Sequence, residues 1–151
     1  MRQRPAARLL VLDPEGRLLL FKFVNLPGSG AGRAFWATPG GALDPGETYA
    51  EAARRELFEE TGFEVADIGQ QAAQRTVAFT TAEGVEVSAD ERYFLVRVGA
   101  MALSRDNWTA LERATMKDHR WWTPAELRAP AEQVWPEDIA AMLESVQGPD
   151  S

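Results

Sequence analysis

Two apolar runs open the chain, residues 7–12 (ARLLVL) and 18–23 (LLLFKF), joined by a link containing Asp13-Pro14-Glu15-Gly16. Each run has the length of a strand and the link is made of turn residues, so the pair predicts a β-hairpin. After a loop rich in Gly, Ser and Pro over residues 25–33, Phe35-Trp36-Ala37-Thr38 predicts a short strand. The apolar spacing then changes. Ala50, Ala53 and Leu57 recur at helical intervals among good helix formers, with Thr48 placed to cap the helix and Gly62 to stop it. A connection over residues 64–69 leads to two strands, 74–81 and 85–98, around a turn at Ala82-Glu83-Gly84. Tyr93-Phe94-Leu95-Val96 is their core segment. Residues 99–117 lack a regular pattern. Arg120-Trp121-Trp122 predicts a last strand, and Thr123 a cap with Pro124 at the first position of a short helical turn. Residues 136–146 predict an amphipathic helix with Ile139, Met142, Leu143 and Val146 on its apolar side, and residues 147–151 a frayed tail. Strands flanked by helices in one unit predict a single α/β domain over residues 1–151.

Composition narrows the function. The chain has 151 residues, 45% hydrophobic and 26% charged, as a globular domain with a sizeable core should be. Net charge is −7, and no basic cluster marks a face for duplex nucleic acid. An acidic protein that handles an anionic substrate must neutralise it locally, which points to metal ions. The absence of cysteine excludes disulfide and thiolate chemistry and agrees with a cytoplasmic location. The apolar stretch Leu9–Leu12 ends at Asp13-Pro14, too short for a signal or a membrane segment.

Glu56, Glu59 and Glu60 are the candidate chemistry. At about 100° per residue they fall within about 100° of one another, beside the stripe of Ala50, Ala53 and Leu57. Three close carboxylates repel unless something positive lies between them, and a hard divalent cation takes oxygen ligands. A solvated acidic helix face has the same spacing. The preceding loop, Pro39-Gly40-Gly41 through Asp44-Pro45-Gly46, favours a site, because it brings backbone amides and carbonyls beside the carboxylates.

Read from Gly41 to Phe63, this stretch resembles the signature of the Nudix hydrolases. The matching residues are Gly41, Glu47, Arg55, Glu56, Leu57, Glu59, Glu60, Gly62 and Phe63, the last standing where an aliphatic residue is more usual. A chance match is on the order of 10⁻⁹ per starting position at average composition. The resemblance implies a Nudix-type α/β/α sandwich with a mixed β-sheet between helices. It also implies metal-dependent hydrolysis of a phosphoanhydride in a nucleoside diphosphate-linked substrate, with Mg²⁺ or Mn²⁺ as cofactor. Glu56, Glu59 and Glu60 then become catalytic metal ligands, completed by the carbonyl of Gly40 or Gly41. Glu56 matches a position that is a ligand in some members and the general base in others. Gly41, Glu47, Arg55 and Gly62 become the structural part of the motif, with Arg55 bridging to Glu47 or gripping a phosphate directly.

The resemblance also implies one more carboxylate from a later segment, with Glu112 ranked first, Glu91 second, and Glu86 and Asp90 as competitors; each also reads as a solvated surface residue. Trp36, Lys22 and Glu91 are the candidates for substrate contact. Phe35, Trp121 and Trp122 are further aromatics able to stack on a base, and His119 is the only histidine. A nucleoside di- or triphosphate, damaged nucleotides among them, is the expected small-molecule partner, without duplex nucleic acid or membrane; a homodimer is compatible with this. No proline lies between Pro45 and Pro124, which disfavours the ADP-ribose hydrolases, and Phe79-Thr80-Thr81 lacks the tyrosine of one dinucleoside polyphosphatase branch. The other readings are a non-catalytic nucleotide-sensing domain of the same fold, or a hydrolase of a nucleotide sugar or dinucleotide. An isomerase of this fold relies on a cysteine that is missing here.

Overall fold

A computed structural model describes residues 2–24, 34–65, 68, 71–80, 83–99, 103, 108, 112–113 and 116–147. The expected loop at 25–33 lies outside them, as do much of the irregular stretch 99–117 and the tail beyond Gln147. The two apolar runs form β1 (Arg2–Leu12) and β2 (Leu18–Val24), antiparallel, with Leu12 opposite Leu18. Their sequences alternate little because both faces of the sheet are covered. Ala7, Leu9, Val11, Leu19, Phe21 and Phe23 point into one buried cluster, and Leu10, Leu12, Leu18 and Leu20 into the other.

Around this pair are β3 (Ala34–Ala37), β4 (Gly40–Ala42), β5 (Gln71–Thr80), β6 (Glu86–Arg97), β7 (Met116–Trp122) and β8 (Val134–Trp135). Among the described residues they make one mixed sheet in the order β5-β6-β1-β2-β3-β8, with β4 also paired to β1 and β7 to β2. β1 and β6 run parallel over their length, from Arg2 opposite Val87 to Leu12 opposite Arg97, and β3 pairs parallel with β8. The helices are α1 (Tyr49–Thr61), α2 (Pro124–Arg128) and α3 (Ile139–Gln147). α1 covers the first face through Ala52, Ala53 and Leu57; α3 covers the second through Ile139 and Leu143. The result is the expected sandwich. Burying a side chain such as Leu57 stabilises it by about 1.5–3 kcal/mol.

Several boundaries differ from the sequence reading. β1 begins at Arg2 and β7 at Met116, because neighbouring strands extend the pairing past the apolar residues. Part of the expected glycine loop is strand β4, with Gly41 opposite Ala7 and Gly40 opposite Arg8. α3 starts at Ile139 rather than Pro136, whose carbonyl instead accepts the Ile139 N–H at 3.1 Å. The tail was expected from residue 147, but Gln147 belongs to α3. The two-residue strand β8 had no counterpart in the pattern.

Candidate active site

α1 carries its acidic chemistry on its buried side. Ala52, Glu56 and Glu60 follow one another a turn apart, next to Ala53, Leu57 and Thr61, and all six are buried. The caps fix this phase. Thr48 Oγ1 accepts the Glu51 N–H at 3.1 Å and Glu51 Oε1 accepts the Thr48 N–H at 2.9 Å. Gly62, at φ 82°, closes the other end with its N–H on the Phe58 carbonyl.

β4 lies against this face. The Gly40 N–H donates to Glu60 Oε1 at 2.7 Å. Gly40 sits at φ 137°, and a Cβ there would stand 2.2 Å from the Ala7 carbonyl oxygen; a Cβ on Gly41 would stand 2.7 Å from Glu56 Oε1. Both positions therefore need glycine for close approach, and Gly40 also for its backbone conformation.

Glu56, Glu60 and Glu112 bring carboxylate oxygens within 4.8 Å of one another. Glu60 is 1% exposed and Glu56 8%. Burial, reinforced by the charges of Glu56 and Glu112, pushes the Glu60 carboxyl well above the usual range. Burial also raises Glu56, against the opposing pull of Arg55. The donors are all oxygens, the cradle is shaped by glycines, and the clustered charge calls for a cation. The residues fit a hard divalent ion such as Mg²⁺ or Mn²⁺.

Arg55 organises the motif's flank. Its Nε and Nη2 donate to Glu47 Oε2 and Oε1 at 2.8 and 2.9 Å, and Nη2 also reaches the Ala42 carbonyl at 3.2 Å. Nη1 meets Glu56 Oε1 at 3.0 Å and Glu59 Oε2 at 3.3 Å, and Nε stands 3.3 Å from Asp44. The hydrogen bonds from Arg55 hold the Glu47 carboxyl below its usual range, and Glu47 in turn raises Arg55. Glu59 therefore faces Arg55, one helical turn away, and stands outside the trio of Glu56, Glu60 and Glu112.

The remaining candidates are dispersed. Glu91 accepts from Arg8 Nε and from the Tyr93 hydroxyl, each at 3.2 Å, and lies 3.7 Å from Arg75. Asp90 accepts from Tyr49, Gln74 and Arg92, and Glu86 is exposed at the start of β6. Lys22 pairs with Glu132 at 3.2 Å, on the opposite side of the sheet from α1. Trp36 is 3% exposed there, edge-on to Trp122. His119 lies opposite Phe21 on β7, ring centroids 6.2 Å apart.

Two residues at the site had not been singled out. Trp108 Nε1 donates to the Glu60 carbonyl at 2.8 Å, anchoring the end of α1; nothing in its irregular segment marked it. Arg8 Nη1 donates to the carbonyls of Thr38 and Gly40 at 3.4 and 3.3 Å. Its signal was available, as the one charge inside the apolar run of residues 7–12. Burial would lower the Arg8 guanidinium, but Glu91, then Tyr93 and Glu60, outweigh it and raise it.

A family model described as the NUDIX domain matches residues 2–143. A putative 8-oxo-dGTP diphosphatase of Bacillus subtilis (strain 168) is 42% identical over 60 residues, which are 40% of this chain and 36% of that protein. An RNA pyrophosphohydrolase of Erythrobacter litoralis (strain HTCC2594) is 40% identical over 62 residues, 41% of this chain and 35% of that protein. The chain thus spans about a third of the length of these relatives. The crystal structure of a MutT protein from Methanosarcina mazei Go1 superposes with a TM-score of 0.69 at 21% identity, over 97% of this chain and 94% of that one.

Proposed function

From the premise that this chain belongs to the NUDIX family, we propose that it is a pyrophosphohydrolase of nucleoside di- or triphosphates, damaged nucleotides included. The observation that carries this is the convergence of Glu56, Glu60 and Glu112 within 4.8 Å beside the glycine strand. These three residues, with the carbonyl of Gly40 or Gly41, would hold Mg²⁺ or Mn²⁺, while Glu59 stays on Arg55. Such an ion supplies neutralisation of the phosphate oxygens and orientation of the attacking water. The protein's own part is placement. The Gly40 N–H fixes the Glu60 carboxylate, Arg55 steadies Glu56, and Trp108 holds the helix end. Phosphoryl transfer asks for this kind of positioning rather than for covalent catalysis. The relatives' names, an 8-oxo-dGTP diphosphatase and an RNA pyrophosphohydrolase, support a nucleotide-linked phosphoanhydride as the bond cleaved. No helix among the described residues is long and apolar enough to cross a membrane.

The test is a substrate panel of canonical and oxidised nucleoside triphosphates, diphosphates, nucleotide sugars and dinucleotides, run with Mg²⁺ and with Mn²⁺. Product analysis in ¹⁸O water identifies the phosphorus attacked. Metal-dependent release of phosphate or pyrophosphate from a nucleoside di- or triphosphate is expected. Nucleotide binding with no cleavage of any member would refute the reading.

A further inference from the structure

The backbone around Gly40 is held from its other side by a residue that the chemistry above does not use. Arg8 lies opposite Gly40 in the β1–β4 register. Its Nε is fixed by Glu91 Oε2 at 3.2 Å, and its Nη1 reaches the carbonyls of Thr38 and Gly40. Those two carbonyls bracket the Gly40 N–H, which donates to Glu60 Oε1. The Gly40 N–H shares its planar peptide with the Pro39 carbonyl, which accepts the Leu9 N–H at 2.9 Å; Arg8 holds the peptides before and after that one, so three successive planes of this turn are tied to β1. The packing is tight enough to transmit the constraint, since a Cβ on Gly40 would lie 2.9 Å from Arg8 Cδ.

We propose that Arg8, pinned by Glu91, is a positioning residue of the cation site: it fixes the backbone on both sides of the Gly40 N–H and so sets where the Glu60 carboxylate stands. This rests on the reading that Glu56, Glu60 and Glu112 hold a divalent cation. The role is separable from simple electrostatics because the two predict opposite signs. The Arg8 charge repels a cation at Glu60, so deleting that charge alone would tighten metal binding. Deleting the brace would weaken it. Groups that orient a ligand from behind cost roughly 10–100-fold in metal affinity when removed.

Mn²⁺ is titrated calorimetrically into metal-free wild type, Arg8→Met, Arg8→Lys and Arg75→Met, with amide exchange at Gly40 followed by NMR in the absence of metal. Arg8→Met is expected to bind Mn²⁺ about tenfold more weakly, with faster exchange at Gly40. Arg8→Lys should also bind more weakly, because an ammonium cannot meet Glu91 and two carbonyls as a planar fork does. Arg75→Met removes the other cation beside Glu91, 3.7 Å from its carboxylate, and should leave both readouts unchanged. If Arg8→Met does not fold, Arg8→Lys carries the comparison. Mn²⁺ binding by either Arg8 variant as tight as in wild type, with Gly40 exchange unaltered, overturns the proposal. Failure of the wild type to bind Mn²⁺ would instead strike the cation reading beneath it.

Discussion

Arg55→Ala and Glu47→Ala should damage one shared interaction, and its size can be worked from the geometry. The pair makes two charge-assisted hydrogen bonds at 2.8 and 2.9 Å, between side chains 25% and 15% exposed. Hydrogen bonds to charged groups contribute about 1.5–3 kcal/mol, and partial exposure pulls this fork to about 2 kcal/mol. Glu47→Ala should cost about that much. Arg55→Ala should cost more, about 3 kcal/mol, because Ala42, Glu56 and Glu59 lose a donor as well. For a chain of this length, 1 kcal/mol moves Tm by about 2–4 °C, so falls of about 4–8 °C and 6–12 °C are expected. The double variant should unfold close to Arg55→Ala, giving a coupling energy of about 1.5–2 kcal/mol in a denaturant cycle. Turnover should fall in all three proteins, since the flank of Glu56 shifts in each. Additivity within about 0.5 kcal/mol would refute the structural pair. It would favour an arginine that grips phosphate, with Arg55→Ala then raising KM at nearly unchanged stability.

Three further outcomes follow from the same site. Mn²⁺ at about 100 times its Kd should stabilise the protein by about 2.7 kcal/mol, and excess chelator should abolish both this shift and turnover; full activity in chelator would be decisive against the metal. Glu60→Gln should remove most turnover yet raise the metal-free Tm at pH 8. The folded carboxyl holds its proton above the ordinary 4.5, so its contribution to stability is complete below that value and lost as pH rises through the folded one. The advantage of the variant should therefore vanish near pH 4, and a variant less stable than wild type at pH 8 would contradict the sign. Gly40→Ala should prevent folding or cost at least about 3 kcal/mol by urea unfolding, since clash and positive φ combine there, whereas Gly84→Ala, at φ 82° with nothing within 4 Å, should cost about 1 kcal/mol.

What could be read from sequence is what short-range chemistry decides. Thr48, Glu51 and Gly62 act on neighbours a few residues away, so both ends of α1 were legible. The two continuous apolar runs revealed β1 and β2, although not the length of β1, because residues 2–6 are ordered by pairing with β6 rather than by their own pattern. Within the site, the motif spacing supplied Glu56, Glu60, Glu47 and Arg55, and Glu112 came from its place before the last strand. Helical spacing placed the carboxylates beside the apolar stripe, whereas Glu56 and Glu60 lie on the buried face itself and Glu59 turns to Arg55. Arg8, Glu91 and Gly40 meet only through long-range register, which no local window contains.

That register also has a consequence for how the molecule is made. β1 lies inside the sheet, yet its parallel partner begins at Val87. During synthesis at about 5–20 residues per second, Arg2 leads Val87 by roughly 4–17 seconds. Throughout that interval β1 can meet β2 and β4, but its other edge is bare and Arg8 lacks Glu91. Arg8 thus gains Glu91 only when β6 arrives, and the carboxylate cluster forms later still, once Glu112 has been made. Nascent chains halted before residue 86 should expose an apolar strand edge open to chaperones and to self-association.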